Sequence, residues 1–236
     1  MERLDKLIAA SGKATRSEAK NWIRSGRVTV NGVPARSPEQ KCDAAADVVA
    51  VDGIALGYTE HRYIMMHKPA GVISATEDRE QRTVLDLLPG ELRRQGLFPV
   101  GRLDKDVTGL LILTNDGALA HALTTPKKHV PKTYCARVDG VLDETDAAAF
   151  AEGLVLADGA RCRPARLEIV APDIARVTVC EGKYHQVKRM FAARGKPVAA
   201  LHRERMGGLA LDASLPPGGW RELTDEDIVK MTEGYR

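Results

Sequence analysis

Residues 101–117 read GRLDKDVTGLLILTNDG, and this run sets charged side chains directly before an apolar segment. The apolar residues 110–113 predict a buried strand, and the Asn-Asp-Gly that follows predicts a turn. If residues 101–104 are extended, Arg102 and Asp104 project from the same side, because side chains alternate along an extended chain. An ionised carboxylate beside a buried strand is costly unless a cation or hydrogen bonds compensate it. Asp104 is therefore a candidate nucleophile, general base, metal ligand or loop cap.

The overall composition is that of an ordinary globular protein. The chain has 236 residues, of which 44% are hydrophobic, enough for one or two domains with a sizeable core. No apolar run approaches the roughly 18 residues of a membrane span, and the N-terminus lacks the apolar core of a secretory signal. We therefore expect a cytoplasmic protein. The scattered cysteines predict reduced, mostly buried thiols; they are Cys42, Cys135, Cys162 and Cys180.

The sequence contains no motif for a bound cofactor. Neither the Gly-x-x-x-x-Gly-Lys-Ser/Thr loop nor a Gly-x-Gly-x-x-Gly run after a strand is present. His185 and His202 lack the spacing of metal ligands, and the cysteines form no Cys-x-x-Cys pair. We therefore expect no metal and no organic cofactor, so that any chemistry must come from side chains.

The N-terminal segment predicts a small helical module with a hairpin. Apolar residues at helical spacing predict a first helix that begins near Leu4 and ends at Gly12. Thr15 and Glu18 form a capping box for a second helix, which reaches Ser25. Residues 27–32 then alternate like a strand and end in an Asn-Gly hairpin turn.

The remainder of the chain predicts a second, larger domain of the α+β class. The predicted strands are residues 62–66, 97–100, 110–113, 132–138, 165–170, 175–180 and 198–206. The predicted helices are residues 117–124, 144–152, 185–194 and 225–232. Short turns between consecutive strands favour a mixed, mostly antiparallel sheet. The chain therefore divides into a small N-terminal α/β domain, 1–58, and a larger domain, 62–236, with a linker near residues 58–61.

The run around Asp104 resembles the Gly-Arg-Leu-Asp segment of the RsuA family of bacterial rRNA pseudouridine synthases. Three further motifs of that family occur in the expected order along the chain. They are KPAG at 68–71, KTY at 132–134 and EGKYHQVKRMF at 181–191. The resemblance covers nearly the whole chain and implies an isomerase that converts uridine to pseudouridine in ribosomal RNA. Two positions depart from the family pattern: His67 replaces an Asn, and Val107 replaces a Thr or Ser.

This resemblance implies catalytic roles for Asp104, Tyr134 and Lys188. The carboxylate of Asp104 would attack the anomeric carbon or the base, or would abstract a sugar proton, and the sequence leaves these routes open. Lys188 would keep that carboxylate ionised, with Arg189 as the alternative cation. Tyr134 would stack on an extruded pyrimidine and offer its hydroxyl for hydrogen bonding or proton transfer.

The same resemblance implies a substrate-binding role for Arg102, and helical spacing adds Arg189 and His185 as substrate-binding candidates on the face of Lys188. Arg102 would occupy the space left by the flipped nucleotide and bind phosphate, or else form a structural ion pair with Asp106 or Asp116. Asp106 and Asp116 themselves are expected to cap a loop and a helix.

The N-terminal module resembles the RNA-binding domain of ribosomal protein S4, through RSEA at 16–19 and GRVTVNG at 26–32. Residues 1–36 contain eight Lys or Arg and three acids, whereas residues 37–60 contain one Lys and five acids. Such segregation favours a basic face for RNA, with an ordinary solvated helix face as the alternative. The candidate RNA-binding residues of this module are Arg3, Lys13, Arg16, Lys20, Arg24 and Arg27. Lys127 and Lys128, and the run HRER at 202–205, would extend a phosphate-binding surface around the pocket.

Within the family, KYHQVKRMF at 183–191 is similar to members that modify uridine 516 of 16S rRNA. The expected partner is 16S rRNA or a small-subunit assembly intermediate, with the protein as a monomer and no membrane. The alternatives are a synthase for large-subunit 23S rRNA and a noncatalytic RNA-binding ribosome-assembly factor. A carboxylate-based RNA glycosidase, which would release free base, is a third.

Overall fold

The computed structural model describes residues 1–57 and 61–234, which fall into two compact units. The N-terminal unit is Met1–Arg62 with Leu85–Phe98, and the C-terminal unit is Tyr63–Val84 with Pro99–Arg236. Leu85–Phe98 thus groups with the N-terminal unit, although it lies inside the predicted domain 62–236. Residues 58–60, which make up most of the predicted linker, and residues 235–236 lie outside the described residues.

The N-terminal unit is built from short helices and short antiparallel strands. Its strands are β1 (Glu2–Arg3), β2 (Val28–Val30), β3 (Val33–Pro34), β4 (Lys41–Cys42), β5 (Val49–Val51) and β6 (Ile54–Ala55). Its helices are α1 (Leu4–Ala10), α2 (Arg16–Arg24) and α3 (Gly90–Arg93), with a 3₁₀ turn at Leu85–Leu87. Strands β3, β2, β5 and β6 form a sheet in that order, and β1 pairs with β4.

The capping box predicted for the second helix is confirmed. The Thr15 hydroxyl accepts a hydrogen bond from the Glu18 backbone N–H at 3.3 Å, and the Glu18 carboxylate accepts one from the Thr15 N–H at 2.7 Å. Two orphan donors at the start of α2 are thereby satisfied. Leu4 and Ile8 of α1 are fully buried in one apolar cluster with Ala19 of α2, so the two helices share a core with the small sheet.

The segment Leu85–Phe98 is held by hydrogen bonds to the turn after α1. Arg94 Nε donates to the Gly12 carbonyl at 2.8 Å, and Gln95 Nε2 donates to the Ser11 carbonyl at 3.0 Å. These partners are about 80 residues apart in sequence, so no local pattern predicts the contact. The sequence accordingly predicts neither α3 nor its place in this unit.

The C-terminal unit contains a large sheet with helices between its strands. The strands are β7 (Tyr63–Lys68), β8 (Phe98–Pro99, at the boundary of the units), β9 (Thr108–Thr114), β10 (Lys132–Val138), β11 (Arg166–Ala171), β12 (Ile174–Val179), β13 (Val198–Met206), β14 (Leu209–Ala210) and β15 (Trp220–Glu222). The helices are α4 (Gly117–Thr124), α5 (Glu144–Glu152), α6 (Gln186–Ala193) and α7 (Asp225–Thr232).

The expected mixed, mostly antiparallel sheet is confirmed. Its strand order is β11-β12-β10-β13-β9-β7-β15, and β14 pairs with the end of β13. All of these neighbours are antiparallel except β13 and β9, which run parallel. Predicted strands 132–138 and 198–206 and predicted helices 117–124, 144–152 and 225–232 match β10, β13, α4, α5 and α7 in their bounds. The short strands β14 and β15 are absent from the sequence prediction.

Gly109 permits the close approach between β9 and β13. It pairs with Arg203, has a φ of +108°, and a Cβ built at this position would lie 2.3 Å from the Arg203 carbonyl oxygen. No flexible side chain can move aside, because the obstructing atoms belong to the backbone. A glycine is therefore required where the parallel pair begins.

We expect Gly109→Ala to lower the free energy of unfolding by about 3 kcal/mol or more, since backbone strain and overpacking each cost roughly 1–3 kcal/mol. Urea denaturation measures this loss. Gly117→Ala is the matched control, because nothing lies within 4 Å of the Cβ it would add. A Gly109→Ala protein whose urea denaturation midpoint equals that of wild type would contradict the close approach of the two backbones.

Candidate active site

A cavity of about 570 Å³ lies in the C-terminal unit, beside the end of the sheet where β10, β13 and α6 approach the loop 101–107. Its lining includes Asp104, Tyr134 and Lys188, three side chains that lie far apart in the sequence. A volume of this size is typical of pockets that hold small ligands. The fold therefore gathers the predicted catalytic residues around one space.

The loop 101–107 is anchored by alternate burial. Leu103 is buried and its backbone exchanges two hydrogen bonds with the Ser74 hydroxyl, at 2.8 and 3.0 Å. Arg102 and Asp104, on either side of Leu103, both line the cavity. Residues 101–104 form no strand, so the extended backbone on which the sequence expectation depended is absent from this loop.

Lys68 also fixes the loop 101–107, through hydrogen bonds to backbone carbonyls. Its side chain is fully buried, and its Nζ donates to the carbonyls of Val107 at 2.9 Å, Pro69 at 3.0 Å and Lys105 at 3.4 Å. Burial, partly offset by the carboxylates of Asp106 and Asp104, lowers the pKa of Lys68 to about 8. A buried ammonium with three carbonyl acceptors fixes the backbone on both sides of Asp106.

Lys188 is the cation nearest to Asp104. Its Nζ lies 3.2 Å from Asp104 Oδ2, and 2.7 and 2.8 Å from the two carboxylate oxygens of Asp106. Burial is the largest single influence on Lys188 and lowers its pKa, but the two carboxylates together outweigh it and raise the pKa. The hydrogen bond from Lys188 lowers the pKa of Asp106. Two carboxylates thus share one ammonium, and Asp106 serves as an ion-pair partner rather than as the predicted cap.

His185 lies against the other oxygen of Asp104, with its Nε2 3.4 Å from Asp104 Oδ1. It stands just before α6 in the left-handed region with φ +48°, so the predicted helix 185–194 begins one residue later, at Gln186. Gln186 is buried, accepts a hydrogen bond from the Lys183 N–H at 2.9 Å and donates one to Glu181 at 2.8 Å. These bonds fix the turn that presents both His185 and Lys188 to Asp104.

Tyr134 forms part of the cavity wall from the centre of β10. Its side chain is buried, and in the described part of the chain its hydroxyl has no hydrogen-bond partner. Lys132, two positions earlier on the same face, also lines the cavity and donates from Nζ to the Val130 carbonyl at 3.1 Å. This part of the wall therefore offers an aromatic ring, a hydroxyl group and the ammonium of Lys132.

We expect Lys132 to make stability depend on alkaline pH. Burial, with a smaller contribution from Arg203, lowers the pKa of Lys132 from its ordinary 10.5 to about 8. Between these values the unfolded chain binds more protons than the folded chain, so the free energy of unfolding rises with pH. Below pH 8 both states are charged and the burial cost is fully present. Urea denaturation from pH 7 to 10 should show wild type gaining stability relative to Lys132→Met; parallel pH profiles would contradict this assignment.

Arg203 belongs to the run 202–205, for which the sequence predicts a phosphate-binding surface around the pocket. It lines the cavity, but alternation along β13 turns its side chain inward, where it is only 1% exposed. Its Nε donates to the Leu110 carbonyl at 2.7 Å, while Nη2 has no hydrogen-bond partner among the described residues. The predicted strand 198–206 already contains the signal, since Arg203 shares its face with the buried Leu201.

Other predicted residues take different positions. Arg189 forms an ion pair with Asp158 at 2.5 Å and is absent from the cavity lining, so it does not stand in for Lys188. Asp116 is the N-cap of α4 as predicted, accepting a hydrogen bond from the Leu119 N–H at 3.0 Å. Among residues 1–57 and 61–234, Arg102 forms no ion pair, neither with Asp106 nor with Asp116.

The six candidate RNA-binding residues of the N-terminal unit are exposed or half-buried, and four of the six form ion pairs. Those pairs are Arg3 with Asp5 and Glu39, Lys13 with Glu91, Arg16 with Asp5, and Arg27 with Asp52. Lys20 and Arg24, on α2, have no ion-pair partner in the described part of the chain. In the C-terminal unit Lys127 and Lys128 are exposed on a 3₁₀ turn.

The predicted free thiols are present: Cys42 and Cys162 are buried, and Cys135 and Cys180 are partly buried. Within the described ranges 1–57 and 61–234, no group of three or more His, Cys, Asp or Glu side chains is placed to hold a metal ion. None of the helices in this described part of the chain is both long and apolar enough to cross a bilayer.

Comparisons with known proteins match both units. Residues 62–193 match the family model described as RNA pseudouridylate synthase, and residues 2–49 match the model of the S4 domain. A relative from Bacillus subtilis (strain 168), an uncharacterized RNA pseudouridine synthase named YtzG, is 45% identical over 235 residues, 98% of either chain. The ribosomal small subunit pseudouridine synthase A of Escherichia coli (strain K12) is 42% identical over 231 residues, 97% of this chain and 99% of the relative.

A solved structure agrees with these sequence matches. A crystal structure of a pseudouridylate synthase superposes with a TM-score of 0.70 at 38% sequence identity, covering 98% of this chain and 100% of the other.

Proposed function

The chain belongs to the RNA pseudouridylate synthase family, and we propose that it converts uridine 516 of 16S rRNA to pseudouridine with Asp104 as the catalytic carboxylate. A pseudouridine synthase is an isomerase. The bond between N1 of uracil and C1′ of ribose breaks, C1′ is joined to C5 of the same ring, C5 loses its proton, and N1 gains one. No electrons or atoms are gained or lost, so side chains alone can carry the reaction.

One observation carries the catalytic assignment: Asp104 and Lys188 meet at 3.2 Å on the wall of a cavity of about 570 Å³. The aspartate side chain is 28% exposed, so one carboxylate is open to a ligand while a cation stabilises its charge. All three routes open to Asp104, namely attack on the sugar, attack on the base and proton abstraction, require that ionised oxygen.

Tyr134 and Arg102 support the entry of a flipped nucleotide. Enzymes that act on a base take it out of the stack and hold it against aromatic side chains. The buried ring of Tyr134 lies on the wall of the cavity, and the exposed Arg102 lines the same cavity. An unpaired guanidinium suits both phosphate binding and the filling of the space that the nucleotide leaves.

The choice of substrate rests on the relatives and on the N-terminal unit. The Escherichia coli relative acts, by its name, on the ribosomal small subunit, and it matches along 97% of this chain. Lys20 and Arg24 of α2 offer unpaired charges for RNA phosphates. We propose 16S rRNA or a small-subunit assembly intermediate as substrate, a monomeric enzyme, and a cytoplasmic reaction, since ribosomes assemble there.

The test is to incubate the protein with 16S rRNA, alone and in assembly intermediates, and with 23S rRNA, and to map pseudouridine at nucleotide resolution. The proposal predicts one modified uridine, at position 516 of 16S rRNA. Modification of 23S rRNA alone would overturn the proposed substrate but support the proposed isomerisation. Release of free uracil would instead identify a glycosidase.

A further inference from the structure

Tyr184 is the most exposed aromatic side chain on the wall of the cavity that holds Asp104. It is 72% exposed, whereas Tyr134 in the same lining is 8% exposed. An exposed aromatic ring contributes little to folding, because its surface stays in water. Its position at the rim of the cavity points to contact with something other than this chain.

The ring of Tyr184 is already stacked on one side. Its centroid lies 3.8 Å from that of the His185 ring, at an interplanar angle of 19°. Because the side chain remains 72% exposed, the ring face turned away from His185 is open to solvent. The open face of the Tyr184 ring can therefore accept a nucleobase as the next member of the stack.

The segment that carries this stack is fixed on both flanks. The Tyr184 carbonyl accepts a hydrogen bond from Arg189 at 3.3 Å, and Lys183, the preceding residue, forms an ion pair with the buried Glu181. His185 follows in the left-handed backbone region, with φ +48°. Strain of this kind persists only where the surroundings hold it in place. The ring is consequently presented in advance, which reduces the entropy lost on binding.

The stack also connects directly to the catalytic carboxylate. His185 Nε2 lies 3.4 Å from Asp104 Oδ1, so Asp104, His185 and Tyr184 follow one another outward from the cavity. This row leads from the carboxylate proposed to act on the target uridine to the exposed ring of Tyr184. The exposed cation Arg102, which lines the same cavity, suits the phosphates of an RNA chain.

From this arrangement, and resting on the proposed function, we propose that Tyr184 is a stacking platform for the base of a nucleotide adjacent to the target uridine. Stacking is tolerant of base identity, because every base has a π face. Tyr184 thus adds affinity and register at the flanking nucleotide, while Asp104 acts on the target.

The test compares Tyr184→Ala, Tyr184→Phe and wild type in single-turnover assays on 16S rRNA. The enzyme concentration is varied and always exceeds that of the RNA. Loss of one stacked base weakens binding by about tenfold. We expect Tyr184→Ala to raise the half-saturating concentration about tenfold with the maximal rate within twofold of wild type, and Tyr184→Phe to match wild type. Val141→Ala is the control, since Val141 is 70% exposed and does not line the cavity.

A second arm identifies the nucleotide. RNAs with an abasic residue immediately before or after the target uridine are assayed with wild type and with Tyr184→Ala. The proposal predicts that an abasic residue at one of the two positions raises the half-saturating concentration of wild type about tenfold. The same abasic residue should raise the half-saturating concentration of Tyr184→Ala by less than a further twofold. Additive losses at both positions would overturn the proposal, as would a Tyr184→Ala protein with wild-type affinity or one whose maximal rate alone falls.

The wild-type arm separates this inference from the function on which it rests. If wild type modifies 23S rRNA and not 16S rRNA, the substrate proposal fails, and the same variants are compared at the 23S site. If wild type modifies neither RNA, the proposed function is overturned and the platform with it. Pseudouridine formation by wild type with no effect of Tyr184→Ala rejects the platform alone.

Discussion

A protein carrying Asp104→Asn is expected to form pseudouridine at least about 10³-fold more slowly than wild type, within the range that positioned acid and base groups contribute. Asparagine has the shape of aspartate, but its amide neither attacks carbon nor accepts a proton. RNA binding should stay within about threefold, because the phosphate-binding cations are unchanged. Single-turnover formation of pseudouridine and filter binding to the same RNA measure the two quantities.

Asp106→Asn is the matched control for this substitution. Asp106 lies in the same loop and pairs with the same Lys188, but its side chain is 74% exposed and it is absent from the cavity lining. We expect its rate to remain within about fivefold of wild type, because exposed ion pairs are worth only about 0–1 kcal/mol. Equal losses for the two asparagine variants would show that the loop's net charge matters and that Asp104 has no chemical role.

The sequence predicts those parts of the fold that local patterns determine. The alternation of polar and apolar residues locates β10 and β13, and the capping box of Thr15 and Glu18 locates the start of α2. The motif order locates Asp104, Tyr134 and Lys188, which the folded chain brings to one cavity. Each strand, helix start or motif residue is thus indicated by residues within a few positions of it in the sequence.

What the sequence misses depends on contacts between distant residues. Lys68 stands within a recognised motif, yet two of its three carbonyl acceptors, those of Lys105 and Val107, reach it only when the loop 101–107 folds over it. Arg203 looks like one member of a basic cluster until the strand turns it inward. The alternative cation for Asp104, Arg189, pairs instead with Asp158, a partner that no local pattern connects to it.

Asp104 and Asp106 owe their common cation to the geometry of α6. The strained turn at His185 directs the first turn of the helix toward the loop, so that Lys188 reaches both carboxylates. Like charges this close repel each other unless a cation lies between them. Lys188 therefore does more than pair with one residue, because it permits the loop to carry two negative charges beside the substrate.

Lys188→Met is accordingly expected to reduce the maximal single-turnover rate about 10²-fold, a loss comparable to that of other groups that stabilise charge at a reacting centre. Methionine keeps the length and apolar contacts of the side chain but leaves both carboxylates without the ammonium. Stability should change by less than about 1 kcal/mol, because the pair is partly exposed to solvent. Single-turnover kinetics and urea denaturation measure the two effects.

Two further variants distinguish charge from packing at this position. Lys188→Arg restores a cation and should recover most of the rate, whereas a purely structural role for the lysine stem would leave arginine no better than methionine. Adding Asp106→Asn to Lys188→Met removes the repelling neighbour of Asp104, and the double variant should then be faster than Lys188→Met alone by about tenfold, a coupling of the size found between contacting charges. If the second substitution slows the enzyme further, the ammonium acts on the substrate rather than on the pair of carboxylates, and the electrostatic account of this site is wrong.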